Sequence, residues 1–208
     1  MNIIAIECST NICSVASFRD SSLINVIESD EALSHSKNLP LMFKSIIYDF
    51  NDYKKDIDFF AISIGPGSFT SLRISLSFVK GLAFGLDKKI IPVPTIESLS
   101  SVVKHKTKYY IAIDSYRDKC FIQEFDGEKS ISSPRIESTS NLDNIKSDIY
   151  GYSDSIKKSN KIIPSSILVG EYAINNKINL LGKNKINDIN PIYLSDTEYV
   201  KIDDTRSK

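Results

Sequence analysis

The sequence predicts an α/β fold built from two similar halves, and three observations support this prediction. An apolar strand that ends in a carboxylate occurs twice, as IAIE at residues 4–7 and IAID at residues 111–114. Two further short strands follow each copy, so each half opens on a three-stranded meander. After the first meander the apolar pattern alternates between helix and strand, which indicates a mixed sheet.

The first meander follows from the apolar pattern of the N-terminal residues. Residues 1–6 are apolar except for Asn2, meet acidic Glu7 at once and lack a basic segment, so they predict a strand rather than a signal peptide. Residues 12–18 and 23–27 predict the second and third strands, with a polar turn between them. No stretch approaches the ~20 apolar residues of a membrane span, so we expect no membrane contact.

A helix with one apolar face follows this meander. Its apolar side chains recur at helical spacing, at positions 39, 42, 43, 46, 47 and 50. Pro40 fits the helix if the first turn begins near Asn38, whereas an earlier start would place a kink at this residue. Residues 59–64 form an apolar run that predicts the next, buried strand.

The segment GPGSFTSLR at residues 65–73 joins that strand to a helix that runs to residue 86. A Gly-Pro-Gly turn before a helix suits an anion or a closely approaching backbone, because the first N–H groups of a helix lack partners within it. The plainer interpretation is a tight turn with an N-cap from Ser68 or Thr70. No lysine follows the second glycine, so the segment is not a Walker A loop.

The helix at residues 69–86 is apolar around most of its circumference but carries one stripe without bulk. Ser77, Gly81 and Gly85 are four residues apart, and each glycine costs about 1 kcal/mol relative to alanine within a helix. Close approach of another element would compensate for this cost. The pattern alone leaves open whether that element belongs to this chain or to a partner protein.

The remaining pattern is less regular. Residues 90–93 predict a strand, and Thr95 is predicted to cap a helix that runs to about residue 103. Further predicted elements are strands at 120–125, 129–131, 149–152 and 167–170, and a helix at 171–181. We place the boundary between the halves within residues 95–107, which gives an N-terminal half of residues 1–100 and a shorter C-terminal half of residues 101–208.

Composition narrows the class of function. The chain has 26 basic and 26 acidic residues, so a dedicated polyanion binder is not expected. Cys8, Cys13 and Cys120 show no CxxC spacing, which argues against a disulfide framework or a zinc site and favours a reduced, cytoplasmic compartment. The two histidines, His35 and His105, have no spacing typical of a metal site.

Two motifs in combination resemble a known family. IAIECST at residues 4–10 and GPGSFTSLR at residues 65–73 are similar to the bacterial TsaB (YeaZ) family, whose members are subunits of the machinery that makes threonylcarbamoyladenosine in tRNA. Further matches are His35 before Leu39-Pro40, Gly81-Leu82-Ala83 with Gly85, Pro94-Thr95, Ala112-Ile113-Asp114 and Pro191-Ile192-Tyr193-Leu194. The resemblance implies an actin-like ATPase fold of the sugar-kinase, Hsp70 and ribonuclease H-like type, with two similar domains.

The resemblance also implies a degenerate nucleotide site between these domains. In active relatives of this fold the carboxylates after the two first strands hold metal and phosphates, and Glu7 and Asp114 occupy those places. The candidate nucleotide-binding residues are Glu7, Ser9, Thr10, Gly65, Gly67, Ser68, Asp114 and Ser115. The chain departs from the family pattern at Glu7, Ser71, Tyr116, Lys119 and Ser195, and these departures count against retained nucleotide binding.

By resemblance, the expected function is a non-catalytic subunit that binds and stabilises a TsaD-like transferase, with a TsaE-like ATPase completing the complex and tRNA reached only through it. No catalytic residue, metal ligand or required cofactor is expected, although ATP or ADP with magnesium at the complex interface stays open. The expected partner contacts are Leu39, Met42, Phe43, Ile46, Ser77, Gly81 and Gly85. The same surface would also allow a homodimer, and the sequence leaves open whether the chain forms one without its partner.

Other classes of function remain as alternatives. One is an enzyme acting alone, either a weak ATPase or phosphotransferase using Glu7 and Asp114, or a peptidase. A peptidase needs a base beside its nucleophile, and Ser68 or Cys8 has no recognisable spacing to a histidine. Another is direct tRNA binding through the lysine clusters at 104–108 and 157–161, which solvated loops explain more simply.

Overall fold

A computed structural model describes residues 1–31, 34–104, 107–153, 156, 159–180 and 186–194, with the backbone alone for 177–180. The first half contains a five-stranded mixed sheet in the order β3-β2-β1-β4-β5. Its strands are β1 (Ile3–Glu7), β2 (Cys13–Arg19), β3 (Ser22–Ser29), β4 (Phe59–Ser63) and β5 (Lys89–Val93). β1 pairs antiparallel with β2 and parallel with β4, so the turns that follow β1 and β4 meet at one edge.

Helices cover both faces of this sheet, which explains why β1 is apolar at every position but its last. The helices are α1 (His35–Ile46), α2 (Tyr53–Asp56), α3 (Phe69–Gly85), α4 (Thr95–Ser100), α5 (Thr139–Leu142) and α6 (Ser166–Leu180). Successive side chains of a strand point to opposite faces. Ile4 and Ile6 therefore pack with α1 and α3, whereas Ile3 and Ala5 pack with α6.

The second half repeats the same strand order. Its strands are β6 (Lys108–Asp114), β7 (Lys119–Asp126), β8 (Lys129–Ser130), β9 (Arg135–Ser138), β10 (Asp148–Tyr152) and β11 (Ser159–Lys161). The sheet order is β11-β10-β6-β7-β8, and β9 also pairs with β7. β6 is antiparallel to β7 and parallel to β10, just as β1 is to β2 and β4. The predicted α/β fold with two similar halves is therefore confirmed.

Two predicted elements in the later part of the chain differ from the structure. Residues 167–170 are not a strand, because α6 begins at Ser166 and packs Val169 and Ala173 on the first sheet. A short apolar run does not distinguish a strand from a buried helix by periodicity. Thr95 is the first residue of α4 rather than its cap, and α4 ends at Ser100. The boundary between the halves stays a prediction.

The start of α1 also differs from the prediction. The helix begins at His35, so Pro40 lies in its interior rather than in its first turn. Proline removes one backbone hydrogen bond from a helix. Pro40 is exposed, as is Ser36, whose carbonyl group loses the donor, so water reaches this part of the helix. No helix among the described residues has the length and apolarity to cross a membrane.

Candidate functional site

A cavity of about 660 Å³ lies between the turn that follows β1 and the turn that follows β6. The structure brings six of the eight candidate nucleotide-binding residues to its walls: Ser9, Thr10, Gly67, Ser68, Asp114 and Ser115. Glu7 and Gly65 do not line it. The remaining walls are largely aromatic, and the sequence pattern did not indicate them: Phe69, Tyr116, Phe121, Tyr152 and Tyr193.

The Gly-Pro-Gly turn is shaped by close backbone packing. Gly65 has a positive φ of 98°, and both of its backbone groups bond to Thr95: its N–H donates to Thr95 Oγ1 at 3.2 Å and its carbonyl accepts from Thr95 N at 2.8 Å. A Cβ at Gly67 would lie 2.3 Å from the carbonyl oxygen of Ser9. The same oxygen accepts a hydrogen bond from Ser68 N at 2.7 Å.

These contacts favour the plainer interpretation of the segment. Ser68 is the N-cap of α3, and its hydroxyl accepts from Ser71 N at 3.4 Å. Thr70 lies inside the helix, in the first turn. The N–H groups of Ser68 and Ser71 already donate to the Ser9 carbonyl and the Ser68 hydroxyl, so these two are not available to a phosphate.

Glu7 holds the turn that follows β1. Its side chain is fully buried, and one carboxylate oxygen accepts a hydrogen bond from Ser9 N. Burial raises the pKa of the Glu7 carboxyl group, and hydrogen bonds from Ser9 and Ser63 offset part of this rise. Glu7 therefore acts as an internal anchor for Ser9 rather than as a group that a ligand in the cavity can contact.

Asp114, at the equivalent place after β6, has a different environment. It is half-buried, lines the cavity and accepts a hydrogen bond from the Ser153 hydroxyl. The following residue, Ser115, donates its backbone N–H to Lys119 O at 3.0 Å, which closes the turn between β6 and β7. Of the two predicted carboxylates, Asp114 alone reaches the cavity.

Contacts between the halves fix the cavity's width. The Tyr152 hydroxyl donates to Asn11 Oδ1 at 3.1 Å across the opening. Below it, Ser166 at the start of α6 donates its N–H to the Ser14 hydroxyl at 3.0 Å, and the two hydroxyl oxygens lie 2.6 Å apart. The two turns are therefore held at a defined separation by hydrogen bonds from both halves.

The cavity's residues do not fit a magnesium–triphosphate group. One of the two carboxylates is sequestered, and none of the lining residues that the structure describes is a lysine or an arginine. Among the described residues, no group of three His, Cys, Asp or Glu side chains is placed to hold a metal ion. His35 is buried with Nε2 3.3 Å from the Ile12 carbonyl oxygen, whereas His105 and Ser195 lie outside the described residues.

The predicted partner contacts divide into two groups. On α1 the prediction is wrong: Leu39, Met42, Phe43 and Ile46 are buried in the chain's own core, because this is the face of α1 that packs on the sheet and α3. The exposed apolar side chains beside them are Leu41 and Tyr48.

On α3 the stripe is open. Ser77, Gly81 and Gly85 are exposed, and no described atom lies within 4 Å of a Cβ built at either glycine. The interpretation of the stripe as packing inside the chain is therefore wrong for the described residues. Phe84 on the same surface is 83% exposed. The sequence contains a signal for this exposed ring, because Phe84 lies three residues after Gly81 and therefore on the same side of the helix.

Together, the repeated sheets and the cleft between them define a two-domain protein of the actin-like ATPase fold. The family model described as "TsaD: tRNA N6-adenosine threonylcarbamoyltransferase" matches residues 24–133, slightly more than half of the chain. The chain belongs to this family, and within it to the TsaB (YeaZ) group.

Individual relatives agree with this placement. The "tRNA threonylcarbamoyladenosine biosynthesis protein TsaB" of Haemophilus influenzae is 26% identical over 132 residues, and that of Escherichia coli K12 is 29% identical over 133. Both matches cover 62% of this chain, and 56% and 57% of the relatives, so the chain spans about half the length of the curated relatives it matches. YeaZ from Pseudomonas aeruginosa superposes with a TM-score of 0.76 at 19% identity, covering 93% of this chain and 99% of that one, which shows the shared fold.

Proposed function

We propose that this chain is a non-catalytic subunit in the synthesis of threonylcarbamoyladenosine in tRNA, where it binds and stabilises a TsaD-like transferase. A TsaE-like ATPase completes the assembly, and tRNA is reached through the complex. The observation that carries the proposal is the open face of α3, defined by Ser77, Gly81, Phe84 and Gly85, in a chain whose relatives are named for this biosynthesis.

The two sides of α3 have different environments, and the exposed side favours a partner protein. Its inner side packs into the core, where Phe78 meets Phe43 edge-on at 5.7 Å between ring centroids. Its outer side presents two glycines, which cost helix stability, and one large aromatic ring in water. A second helix laid along this side would approach the glycines closely and bury Phe84, which supplies the compensation that the isolated chain lacks.

A homodimer would form through the same face of α3. A second copy of the chain offers an identical small-residue stripe and an identical Phe84, and twofold interfaces join identical patches. The transferase partner and a second copy would then compete for α3. We therefore propose that homodimers form when the partner is missing and dissociate when it is added.

The site favours this role over that of an enzyme acting alone. Glu7 is closed from the cavity, and the cavity's lining does not suit a magnesium triphosphate. The peptidase alternative lacks a nucleophile–base pair among the described residues, because the Cys8 sulfur lies 3.6 Å from Cys13 and the Ser68 hydroxyl lies 2.9 Å from Ser71. Where the assembly uses ATP or ADP with magnesium, we propose that partner residues at the interface help to hold it.

Co-expression with the TsaD-like protein of the same organism, followed by size-exclusion chromatography, tests the proposal. We expect a stable one-to-one complex. A Cβ at Gly81 meets no described atom from outside the nearby helix backbone within 4 Å, and leucine is a better helix former than glycine, so Gly81→Leu is expected to stay folded. Overpacking a shared interface costs about 1–3 kcal/mol, so association should weaken roughly 5- to 150-fold.

Asn175→Leu is the matched control for this substitution. Asn175 is exposed on α6, which packs on the opposite face of the sheet from α3, so this variant should bind the partner normally. Circular dichroism checks that both variants are folded. A folded Gly81→Leu variant that still binds fully would move the interface away from α3, and the absence of any complex with the unaltered chain would overturn the proposal.

A further inference from the structure

An arginine one helical turn before the open face of α3 is fixed in place by two aromatic rings. The Arg73 guanidinium carbon lies 3.6 Å from the centroid of the Phe69 ring and 5.4 Å from that of the Tyr193 ring. Arg73 Nε also donates a hydrogen bond to the Tyr193 hydroxyl at 2.8 Å. A cation is attracted to an aromatic face, so these contacts together restrict the orientation of the guanidinium group.

The terminal nitrogens of Arg73 have no acceptor in the part of the chain that the structure describes, and none of the described carboxylates forms an ion pair with it. The residue is exposed. Two terminal N–H groups of a guanidinium match the two oxygens of a carboxylate. Because Arg73 is already held in one orientation, it loses little freedom on binding, so it is pre-organised to receive a carboxylate from another molecule.

Arg73 extends the open face of α3 into a longer exposed stripe. From Arg73 the stripe continues at steps of four, four and three residues, which keep to one side of a helix, through Ser77, Gly81 and Phe84. The second cation of this helix, Lys80, is half-buried, and its ammonium group donates to a backbone carbonyl. Arg73 is therefore the cation that this stripe offers to a partner.

α1 carries a second exposed stripe of similar chemistry. Its members alternate a lysine with a bulky side chain, and the last of them lies in the short turn that continues α1: Lys37, Leu41, Lys44 and Tyr48. α1 packs beside α3 on the same face of the first sheet, so both stripes point away from that sheet. Lys37 lies in the first turn of α1, where the helix dipole disfavours a cation, so helix stability does not explain it.

The charge of these two helices has one sign. α1 and α3 contain four lysine or arginine residues and no aspartate or glutamate, although the whole chain has 26 basic and 26 acidic residues. A second copy of the chain would bring the same positive charges to this surface, so an acidic protein is favoured as its occupant. Four cations spread over two helices that also expose apolar side chains do not form the dense basic patch typical of a nucleic-acid site.

We propose that the outer side of α1 and α3, the docking surface, binds an acidic and partly apolar face of the partner protein. Arg73 is its charged anchor and binds one carboxylate of the partner through both terminal nitrogens. The inference rests on the proposed function, since the partner is the TsaD-like transferase, and it adds the partner's chemistry and the outer side of α1. Arginine and aromatic residues are enriched at the few positions that dominate the affinity of an interface.

The affinity of the unaltered chain for the TsaD-like protein, measured by isothermal titration calorimetry at about 0.05 and 0.5 M NaCl, tests this inference. Binding should weaken at the higher salt concentration, because salt screens the charges that the interface joins. Arg73→Gln should weaken binding at least about tenfold at low salt and should show a smaller salt dependence. Arg73→Lys keeps the charge but not the planar pair of donors, so its affinity should lie between those of Arg73→Gln and the unaltered chain.

Lys37→Glu should separate helix stability from partner binding. Glutamate in the first turn of α1 suits the helix dipole, so the melting temperature should stay the same or rise. A negative charge on the docking surface should at the same time weaken partner binding about 3- to 10-fold. Lys129→Glu is the matched control, because Lys129 is exposed on β8 in the second half, and the same charge change there should leave partner binding unaltered.

Tyr193→Phe tests whether its hydrogen bond prepares Arg73 for the partner. The variant keeps both rings and loses only the bond from Nε, so partner binding should weaken about 2- to 5-fold, less than in Arg73→Gln. Circular dichroism checks that all variants are folded. If Arg73→Gln does not fold, Arg73→Lys and Lys37→Glu still test the inference.

The outcomes separate this inference from the proposed function. A complex that Gly81→Leu weakens but that folded Arg73→Gln and Lys37→Glu leave unchanged would overturn the inference alone. Equal losses in Lys37→Glu and Lys129→Glu would do the same, because the effect would then not be local to the docking surface. Absence of a complex with the unaltered chain overturns both. Binding of a labelled tRNA transcript to the isolated chain that Arg73→Gln abolishes would assign this surface to phosphate groups and overturn the acidic protein partner.

Discussion

The turns that follow β1 and β6 begin from nearly the same sequence and reach different environments. Glu7 is fully buried and bonded to Ser9, whereas Asp114 is half-buried, faces the cavity and accepts from Ser153. The difference arises from the neighbours of each turn. The Gly-Pro-Gly segment packs directly on the first turn, where a Cβ at Gly67 would meet Ser9. The neighbouring segments therefore decide the role of a carboxylate that follows the first strand of such a domain. Where another segment covers it, the carboxylate is buried and holds the turn, and where none does, it lines the cavity.

The largest expected effect on stability is at the contact between the Gly-Pro-Gly segment and the first turn. Gly67→Ala would place a Cβ 2.3 Å from a backbone oxygen, so a backbone shift is unavoidable and the free energy of unfolding should fall by about 3 kcal/mol. Gly81→Ala is the control in open space, and it should raise stability by up to about 1 kcal/mol. Urea unfolding measures both, and equal stability of the two variants would contradict the close contact.

Truncating the two carboxylates should give unequal losses. Glu7→Ala leaves the buried Ser9 N–H without its acceptor, which costs about 1–3 kcal/mol. Asp114→Ala should cost about 1 kcal/mol or less, because water in the cavity can hydrate the groups around it. Thermal unfolding of the two variants under one condition compares them. A larger loss for Asp114→Ala would reverse the assignment of anchor and wall.

The smallest expected effect is a dependence of stability on pH at Glu7. Burial raises the pKa of Glu7 above its ordinary value of 4.5, so the folded state retains a proton that the unfolded state has lost. The stability associated with this group is therefore present at low pH and is lost as the pH rises above 4.5 toward the raised pKa.

Glu7→Gln removes this titration while keeping an acceptor oxygen for Ser9. The stability of the variant relative to the unaltered chain should increase with pH when unfolding is measured at about pH 4, 6 and 8. Asp114→Asn, tested alongside it, is the comparison at the second turn. A constant difference between Glu7→Gln and the unaltered chain would mean that burial does not raise the pKa of Glu7.

Much of this comparison could be predicted from the sequence. The repeated IAIE and IAID strands, the meanders and the helix that begins within residues 65–73 follow from periodicity and turn residues, which are local signals. The α6 start at Ser166 was missed because its first apolar residues, Ile167 to Gly170, read equally well as a strand. Gly170 is required there by the Phe18 ring, a contact between distant parts of the chain.

The site was predictable in its location but not in its character. The family resemblance implied that Ser9, Thr10, Asp114 and Ser115 lie together across a cleft, and all four line the cavity. The aromatic walls come from four separate regions of the chain, and no local pattern relates Phe69 to Tyr152 or Tyr193. Burial of the α1 residues was similarly missed, since an apolar stripe shows that a helix face is covered but not by which molecule.

Turnover measured in the reconstituted assembly tests the central claim, that this chain acts through its surface and not through carboxylate chemistry. With the TsaD-like transferase and the TsaE-like ATPase present, Glu7→Gln should support threonylcarbamoyl transfer within about twofold of the unaltered chain. Gly81→Leu should lose transfer in step with its loss of partner binding and regain it at higher concentration. The isolated chain should show no substantial ATP hydrolysis. ATP hydrolysis by the isolated chain that Glu7→Gln or Asp114→Ala abolishes would contradict the account.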